Sequence, residues 1–231
     1  MVKKLIGDLF DEGLRSSRTE RPPSDKWRGS LLGSCLRQQW YYANGETPTD
    51  DRGDEVFRIF ERGHIINDSF NRRLRDSEHL ISYEEEVPVS IPELRFAGNA
   101  DGVVQWKDGQ HELIEYKSVK DSAWKFIPKP EHQIQASIYA ECLTRMRGHE
   151  YSARLVYIRA SDLVTAEFIV DEQWKNKSLR ILKILNSDRF KDTPPWRLPE
   201  EKYRSNKTGN WLFPCGYCPF LTKCRGGENG D

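Results

Sequence analysis

Asp101, Glu115 and Lys117 are the residues whose types and spacing could do chemistry together. They share one stretch, Gly98 to Lys117, GNADGVVQWKDGQHELIEYK. Val103, Val104 and Trp106 favour strand before Lys107-Asp108-Gly109, and Leu113 and Ile114 favour it afterwards. Two strands joined by so short an Asp-Gly turn run antiparallel as neighbours. Asp101 then lies on one strand and Glu115 on the other, close enough to share an ion. Glu115 and Lys117, two apart, leave the same face of their strand. Two carboxylates and an ammonium on one patch of sheet suit a hard cation, Mg²⁺ or Mn²⁺, beside a phosphodiester. Such an ion acidifies a bound water and steadies developing charge. The plainer alternative is an E-x-K surface pair, solvated and worth little energy.

Two further groups carry side chains suited to chemistry. His132, Gln135 and Tyr139 are three and four apart, so on a helix they share one face. Turned toward the sheet, that face could position Lys117 or a phosphate; turned away, it is an ordinary polar surface. Cys215, Cys218 and Cys224 follow a C-x₂-C-x₅-C spacing, with Gly216 and Pro219 letting the thiolates converge. Three ligands leave one position unfilled, and Cys35 is the obvious fourth. A structural zinc and an iron–sulfur cluster both take four thiolates, and spacing alone does not choose between them. With Cys35 included, the centre would staple the N-terminal region to the C-terminus, and its loss should unfold those ends. Cys142, mid-helix, reads as a buried inert thiol.

The elements that must position these groups follow from pattern. Residues 1–29 read as a loosely attached segment, with a short amphipathic helix from Leu5 to Leu14 and an extended Arg21-Pro22-Pro23-Ser24 linker. A helix follows from Ser34, a plausible N-cap, through Tyr42. Val56 to Leu74 is the first long helix, with Phe57, Phe60, Ile65 and Phe70 as its imperfect apolar face. Ser82 to Ile91 alternates as a strand that Pro88 marks as an edge or a bulge. After the hairpin come a helix from about Glu131 to Met146, strands at 154–160 and 164–170, and a helix from Asp171 to Leu185. Residues 187–214 hold Pro194, Pro195, Pro199 and Pro214 and form an irregular crossing segment. This order gives a mixed α/β domain, with helices flanking a twisted sheet of about five strands.

Length and composition bound the rest. A chain of 231 residues suits one domain with appended segments. Lysine plus arginine equals aspartate plus glutamate, 36 each, so a nucleic-acid surface must come from local partition of charge. No apolar run is long enough to span a bilayer, and Met1-Val2-Lys3-Lys4 opens no signal peptide, so a cytoplasmic protein with no membrane partner is expected. Five cysteines in that compartment favour metal or cluster ligation over disulfides.

Asp101, then E-Y-K at 115–117, then H-x-x-Q-x-x-x-Y at 132–139, resembles the PD-(D/E)XK nuclease superfamily, in particular its RecB-like branch. With Cys35 and the C-terminal C-x₂-C-x₅-C, the sequence is similar to the iron–sulfur members. Those include the CRISPR-associated RecB-like exonucleases and the nuclease domains of helicase-nucleases. The motifs span residues 35 to 224. The resemblance implies a restriction-endonuclease-like core at 81–186, preceded by a helical segment at 31–80 with the first cluster cysteine. An irregular segment at 187–231 would carry the other three. It implies a [4Fe-4S] cluster on Cys35, Cys215, Cys218 and Cys224, with zinc the less favoured occupant. It implies Asp101 and Glu115 as metal ligands with the backbone carbonyl of Tyr116, Lys117 orienting or activating water, and Gln135 and Tyr139 supporting the lysine and contacting DNA. One departure stands out. The family places a histidine on the first long helix, usually four residues after a glycine, but Gly63 is followed four on by Asn67. His64 is chosen here as the further ligand, with Asp68 the other candidate.

The expected function is a metal-dependent deoxyribonuclease, an exonuclease on single-stranded DNA ends in repair, recombination or CRISPR spacer processing. A helicase or integrase partner would supply the end. The rivals are a DNA-end-binding adaptor of weak activity on a nuclease fold, and a zinc-stabilised interaction module. Trp124, Lys125 and Phe126 are the expected DNA contacts, with Trp196 and Trp211 weaker candidates.

Overall fold

A computed structural model describes residues 5–17, 24–51 and 53–226. Met1 to Lys4 and the Arg21-Pro22-Pro23 part of the linker lie outside the described residues. The hairpin forms where turn chemistry places it. β3 (Phe96–Trp106) and β4 (His111–Val119) run antiparallel, and Gly109 supplies the positive φ of 89° that their turn requires. β2 (Leu80–Ile91) pairs with the outer side of β3 along its length and is an edge strand, which is how Pro88 is accommodated. On the other side of the hairpin, β5 (Ser152–Arg159) runs parallel to β4, and β6 (Thr165–Ile169) closes the sheet antiparallel to β5. The parallel pair needs a crossover, supplied by α6 (Pro130–Arg147).

The sheet has six strands because of a short one that pattern did not reveal. β1 (Trp27–Arg28) pairs parallel with Phe96 and Ala97 of β3. The reading of residues up to 29 as loosely attached fails here for Trp27. Its ring is 1% exposed, its indole N–H donates to Asn186 Oδ1 at 3.1 Å and its backbone N–H to Arg95 O at 2.6 Å. An isolated tryptophan in a polar stretch has no periodicity to betray its burial.

Helices cover both faces. α6 packs on one, with α2 (Gly29–Leu32), α3 (Leu36–Ala43) and α7 (Glu172–Leu185) beside it. α4 (Asp54–Arg75) covers the other, with α1 (Ile6–Ser16) tied to it through Arg58–Asp11 and Arg15–Asp54. Ile134, Ile138 and Leu143 point into the α6 side as expected, and Cys142 is fully buried. The first long helix differs from its expected face: Phe60 and Ile65 are exposed, while Ile66 and Asn71 are buried. Only one stripe of α4 meets the sheet, against Val104, Ile114, Tyr116, Val156 and Ile158, and its remaining aromatics spread around the cylinder. α3 begins one residue later than expected, with Cys35 rather than Ser34 at its N-cap. α5 (Asp121–Trp124), α8 (Glu200–Tyr203) and α9 (Leu221–Arg225) are single turns.

Two features shape the middle of the sheet. The β3–β4 ladder runs from Gln105–His111 only as far as Gly102–Ile114, after which the strands part; β1 takes the same side of β3 at its far end. Residues 98–101 thus border a notch. At the same level both β2 and β3 change faces. Glu84 bonds Arg147 of α6 and Glu85 bonds Arg75 of α4, yet Val87 and Val89 belong to the α6 side. Ala100 and Val103, three apart, also share the α6 side. Glu86, with φ 48°, and Asp101 fall opposite each other at this switch, between the pairs Glu85–Gly102 and Val87–Ala100.

Candidate active site

The parted strands bring Asp101, Glu115 and Lys117 together at the mouth of the notch. Asp101 Oδ2 accepts the Tyr116 backbone N–H at 2.9 Å, replacing the strand partner that β3 no longer provides. Glu115 and Lys117 share the α6 face, and Lys117 Nζ lies 2.5 Å from Glu115 Oε1. Gln135 of α6 donates to the same oxygen at 2.6 Å. The Glu115 side chain is 1% exposed, and its Oε2 has no hydrogen-bond partner among the described residues. The polar helix face therefore turns inward. Tyr139 is 4% exposed and fills the space beside two glycines. A Cβ on Gly29 or Gly98 would fall 2.4 or 2.6 Å from the Tyr139 ring, so side chains are absent there to let the ring in.

His64 stands on the exposed side of α4, near enough for its charge to act on Asp101. Asn67 is half-buried and Asp68 exposed on the same helix. Among the described residues no three His, Cys, Asp or Glu side chains close into a metal-holding group as they stand. His64 is thus beside the carboxylates without completing a coordination shell.

The electrostatics are those of a site short of positive charge. Burial, then the neighbouring Asp101 carboxylate, push Glu115 up to about 8 despite Lys117. Burial likewise raises Asp101, against the pull of Lys117 and the Tyr116 N–H. Lys117 loses some basicity to burial but is held above its ordinary value by Glu115 and Asp101, so it stays charged. Two carboxylates face one ammonium, and one buried carboxylate oxygen is open. A hard divalent cation fits that donor set.

Two participants escaped sequence reasoning. Glu86 lies across from Asp101, and its charge acts on Glu115; only its place opposite Asp101 reveals it. Tyr157 of β5 bonds His132, a pairing between residues 25 apart that no local pattern encodes.

A family model described as the PD-(D/E)XK nuclease superfamily matches residues 2–225. The chain belongs to the PD-(D/E)XK nuclease superfamily. Among solved structures, this superfamily member is similar to the crystal structure of a protein named SSO0001. The two are 17% identical over 96% of this chain and 97% of that one, with a TM-score of 0.57, a likeness of fold alone. An exonuclease candidate from Eubacterium rectale is more distant, at 9% identity over 86% of this chain and 96% of that one, TM-score 0.47. No curated protein matches the sequence.

In this PD-(D/E)XK chain, Cys35, Cys215, Cys218 and Cys224 line one cleft with Arg37, Gln38, Tyr41 and Arg225. None is in a disulfide. Burial raises the Cys35, Cys215 and Cys218 thiols, Cys218 to about 12, and donors oppose it. The amides of Arg37 and Gln38 point at Cys35, the Arg225 side chain at Cys215 and the Phe220 amide at Cys218. A thiol-only set ringed by N–H donors suits a soft thiophilic centre, although the sulfurs are not drawn into a closed group. Other contacts already join the chain ends here. Phe220 is fully buried against Tyr41 and Tyr42, and Asp50 accepts both the amide and the hydroxyl of Thr222.

The expected DNA contacts separate. Phe126 is 64% exposed with Lys125 Nζ 5.0 Å from its ring, whereas Trp124 is half-buried under the Arg159 guanidinium. Trp196 is exposed, meets Phe190 edge to face and lies under the Arg189 guanidinium; Trp211 lies near both Arg204 and Arg225. No helix among the described residues is long and apolar enough to cross a membrane.

Proposed function

We propose that the chain is a metal-dependent deoxyribonuclease of the RecB-like branch, an exonuclease working from single-stranded DNA ends. One observation carries the reading: a carboxylate buried to 1% exposure, Glu115, receives two donors on one oxygen and keeps the other open beside a second acid. A buried acceptor left open amid excess negative charge is costly unless a cation is meant to meet it. Asp101 and Glu115, with the Tyr116 carbonyl and His64, would hold Mg²⁺ or Mn²⁺. Bound there, the ion supplies Lewis-acid polarisation of a phosphoryl oxygen and a more acidic water.

The chain's own groups do the remaining work. Lys117, kept charged by its two acidic neighbours, is suited to orient the attacking water and to balance charge on the phosphate; it is poorly suited to act as a base. Gln135 fixes the Glu115 carboxylate, and Tyr139 fills the notch behind it and excludes water. The four cysteines would hold a [4Fe-4S] cluster, with zinc as second choice, as a staple between Cys35 and the C-terminal loop. A helicase or integrase would present the DNA end.

The test is a time course on end-labelled single- and double-stranded DNA, Mg²⁺ against Mn²⁺, with anaerobically purified protein. Cleavage should require the metal, stop with EDTA, and vanish in Lys117→Ala and Glu115→Ala while circular dichroism stays native. Normal cleavage by both variants would remove the site assignment. Metal-independent binding of ends with no cleavage by the unaltered chain would favour an adaptor.

A further inference from the structure

Beside the carboxylates, His132 and Tyr157 form a second polar pair. Tyr157 is fully buried, and its hydroxyl oxygen lies 2.8 Å from the Lys129 backbone N and 2.8 Å from His132 Nδ1. The Lys129 amide has only a proton to offer, so the phenol oxygen accepts there. The phenol, which burial keeps protonated, has no other acceptor among the described residues, so its proton is assigned to Nδ1. An imidazole that accepts at Nδ1 carries its single proton on Nε2. That Nε2 has no hydrogen-bond partner among the described residues, and the residue is only half-buried. Burial, then the charges of Lys117 and Lys129, hold the ring down to about 2, so it stays neutral at any working pH.

We propose that His132 is a substrate-contacting residue whose Nε2–H, fixed in place by Tyr157, donates to a phosphate oxygen of the DNA strand lying beside Lys117. This rests on the nuclease reading above. A neutral donor suits a position where the charges of Lys117 and Lys129 already act, adding direction without adding repulsion. Tyr157 is the positioning residue, acting only through the imidazole.

Imidazole ¹⁵N spectra of the metal-free chain test the tautomer independently of any activity. The expected result is a protonated Nε2 and an unprotonated Nδ1 for His132 throughout pH 5.5–8.5, becoming a tautomer mixture in Tyr157→Phe. An Nδ1–H tautomer, or an imidazolium in that range, overturns the proposal. Binding of a single-stranded oligonucleotide, read by fluorescence anisotropy in EDTA, tests the contact. His132→Ala should raise Kd, and KM where cleavage is measured, by roughly 10- to 100-fold with kcat within about threefold. His132→Gln, which returns an N–H at similar reach, should recover most of that loss, and Tyr157→Phe should fall between. Unchanged Kd in His132→Ala sinks the contact. Failure of the nuclease reading is seen separately, as an unaltered chain that never cleaves or a Lys117→Ala variant that does.

Discussion

Replacing Gln135 with methionine should loosen the grip on the divalent ion while leaving the fold in place. The side chain is 7% exposed inside α6, methionine matches its length, and both are good helix formers. What disappears is the 2.6 Å donation from Nε2 to Glu115 Oε1; Lys117 remains on that oxygen at 2.5 Å. A hydrogen bond to a charged group is worth about 1.5–3 kcal/mol. At about 1.4 kcal/mol per decade, full transmission to ion binding gives roughly 10- to 100-fold weaker affinity. Partners that orient metal ligands in other proteins span about the same range when removed. Calorimetric titration with Mn²⁺ measures the affinity, and the Mn²⁺ half-saturation of cleavage measures it again. Both midpoints should rise together, and saturating Mn²⁺ should bring the rate back to within a few-fold of the unaltered chain. Lys117→Ala, by contrast, should stay inactive at any Mn²⁺ concentration. A Gln135→Met chain that binds Mn²⁺ as tightly as the original would refute the idea that α6 orients the ligand carboxylate.

Gly98→Ala should lower the melting temperature. Its Cβ would fall 2.6 Å from the Tyr139 ring, whose same edge is already crowded by Gly29. Overpacking of about 1–3 kcal/mol and roughly 2–4 °C per kcal/mol for a chain of this size predict a fall of about 2–12 °C. Adding Tyr139→Leu should recover it, and an unmoved transition in the single variant would show that the ring is free to shift. Cys215→Ser should remove absorbance near ~400 nm and bound iron from anaerobically prepared protein. It should expose residues 196–214 to protease without melting the sheet, while residues 220–222 stay docked through Phe220 and the Asp50–Thr222 bonds. A colourless chain with stoichiometric zinc would reassign the centre, and a metal-free one would dismiss it.

The hairpin, α6 and the β5–β6 pair were legible because each is written locally: an Asp-Gly turn, a helical apolar stripe, alternating β-branched residues. Glu115 and Lys117 could be named for the same reason, since strand periodicity puts them on one face, whereas Asp101 was legible only through the hairpin and meets them by a face change that periodicity does not encode. Gln135 and Tyr139 were legible as sharing a face, and only packing decides that this face turns inward. Illegible parts depend on long-range pairing. Trp27 is buried by partners at residues 95 and 186. The stripe of α4 that touches the sheet is narrower than its aromatic content suggests, so Phe60 and Ile65 went to solvent. The His132–Tyr157 contact joins residues 25 apart, on α6 and the strand that follows it.

The notch itself explains how two acids come to lie beside one peptide. Side chains of a regular strand stand perpendicular to the sheet and cannot reach a neighbour's backbone N–H. Asp101 does reach the Tyr116 amide, so its carboxylate lies near the plane of the sheet. That orientation is available because Ala100 and Val103 both face α6, which leaves Asp101 as the extra residue of the face change. Glu86, opposite, absorbs the same irregularity in a left-handed conformation, which costs a non-glycine residue about 1–3 kcal/mol. The ladder then ends at Gly102–Ile114, and the Tyr116 peptide is tied to Asp101 on one side while carrying Glu115 on the other. The two carboxylates are therefore linked through one peptide unit and one hydrogen bond, with Lys117 and Gln135 holding the Glu115 side chain in place although the strands have parted.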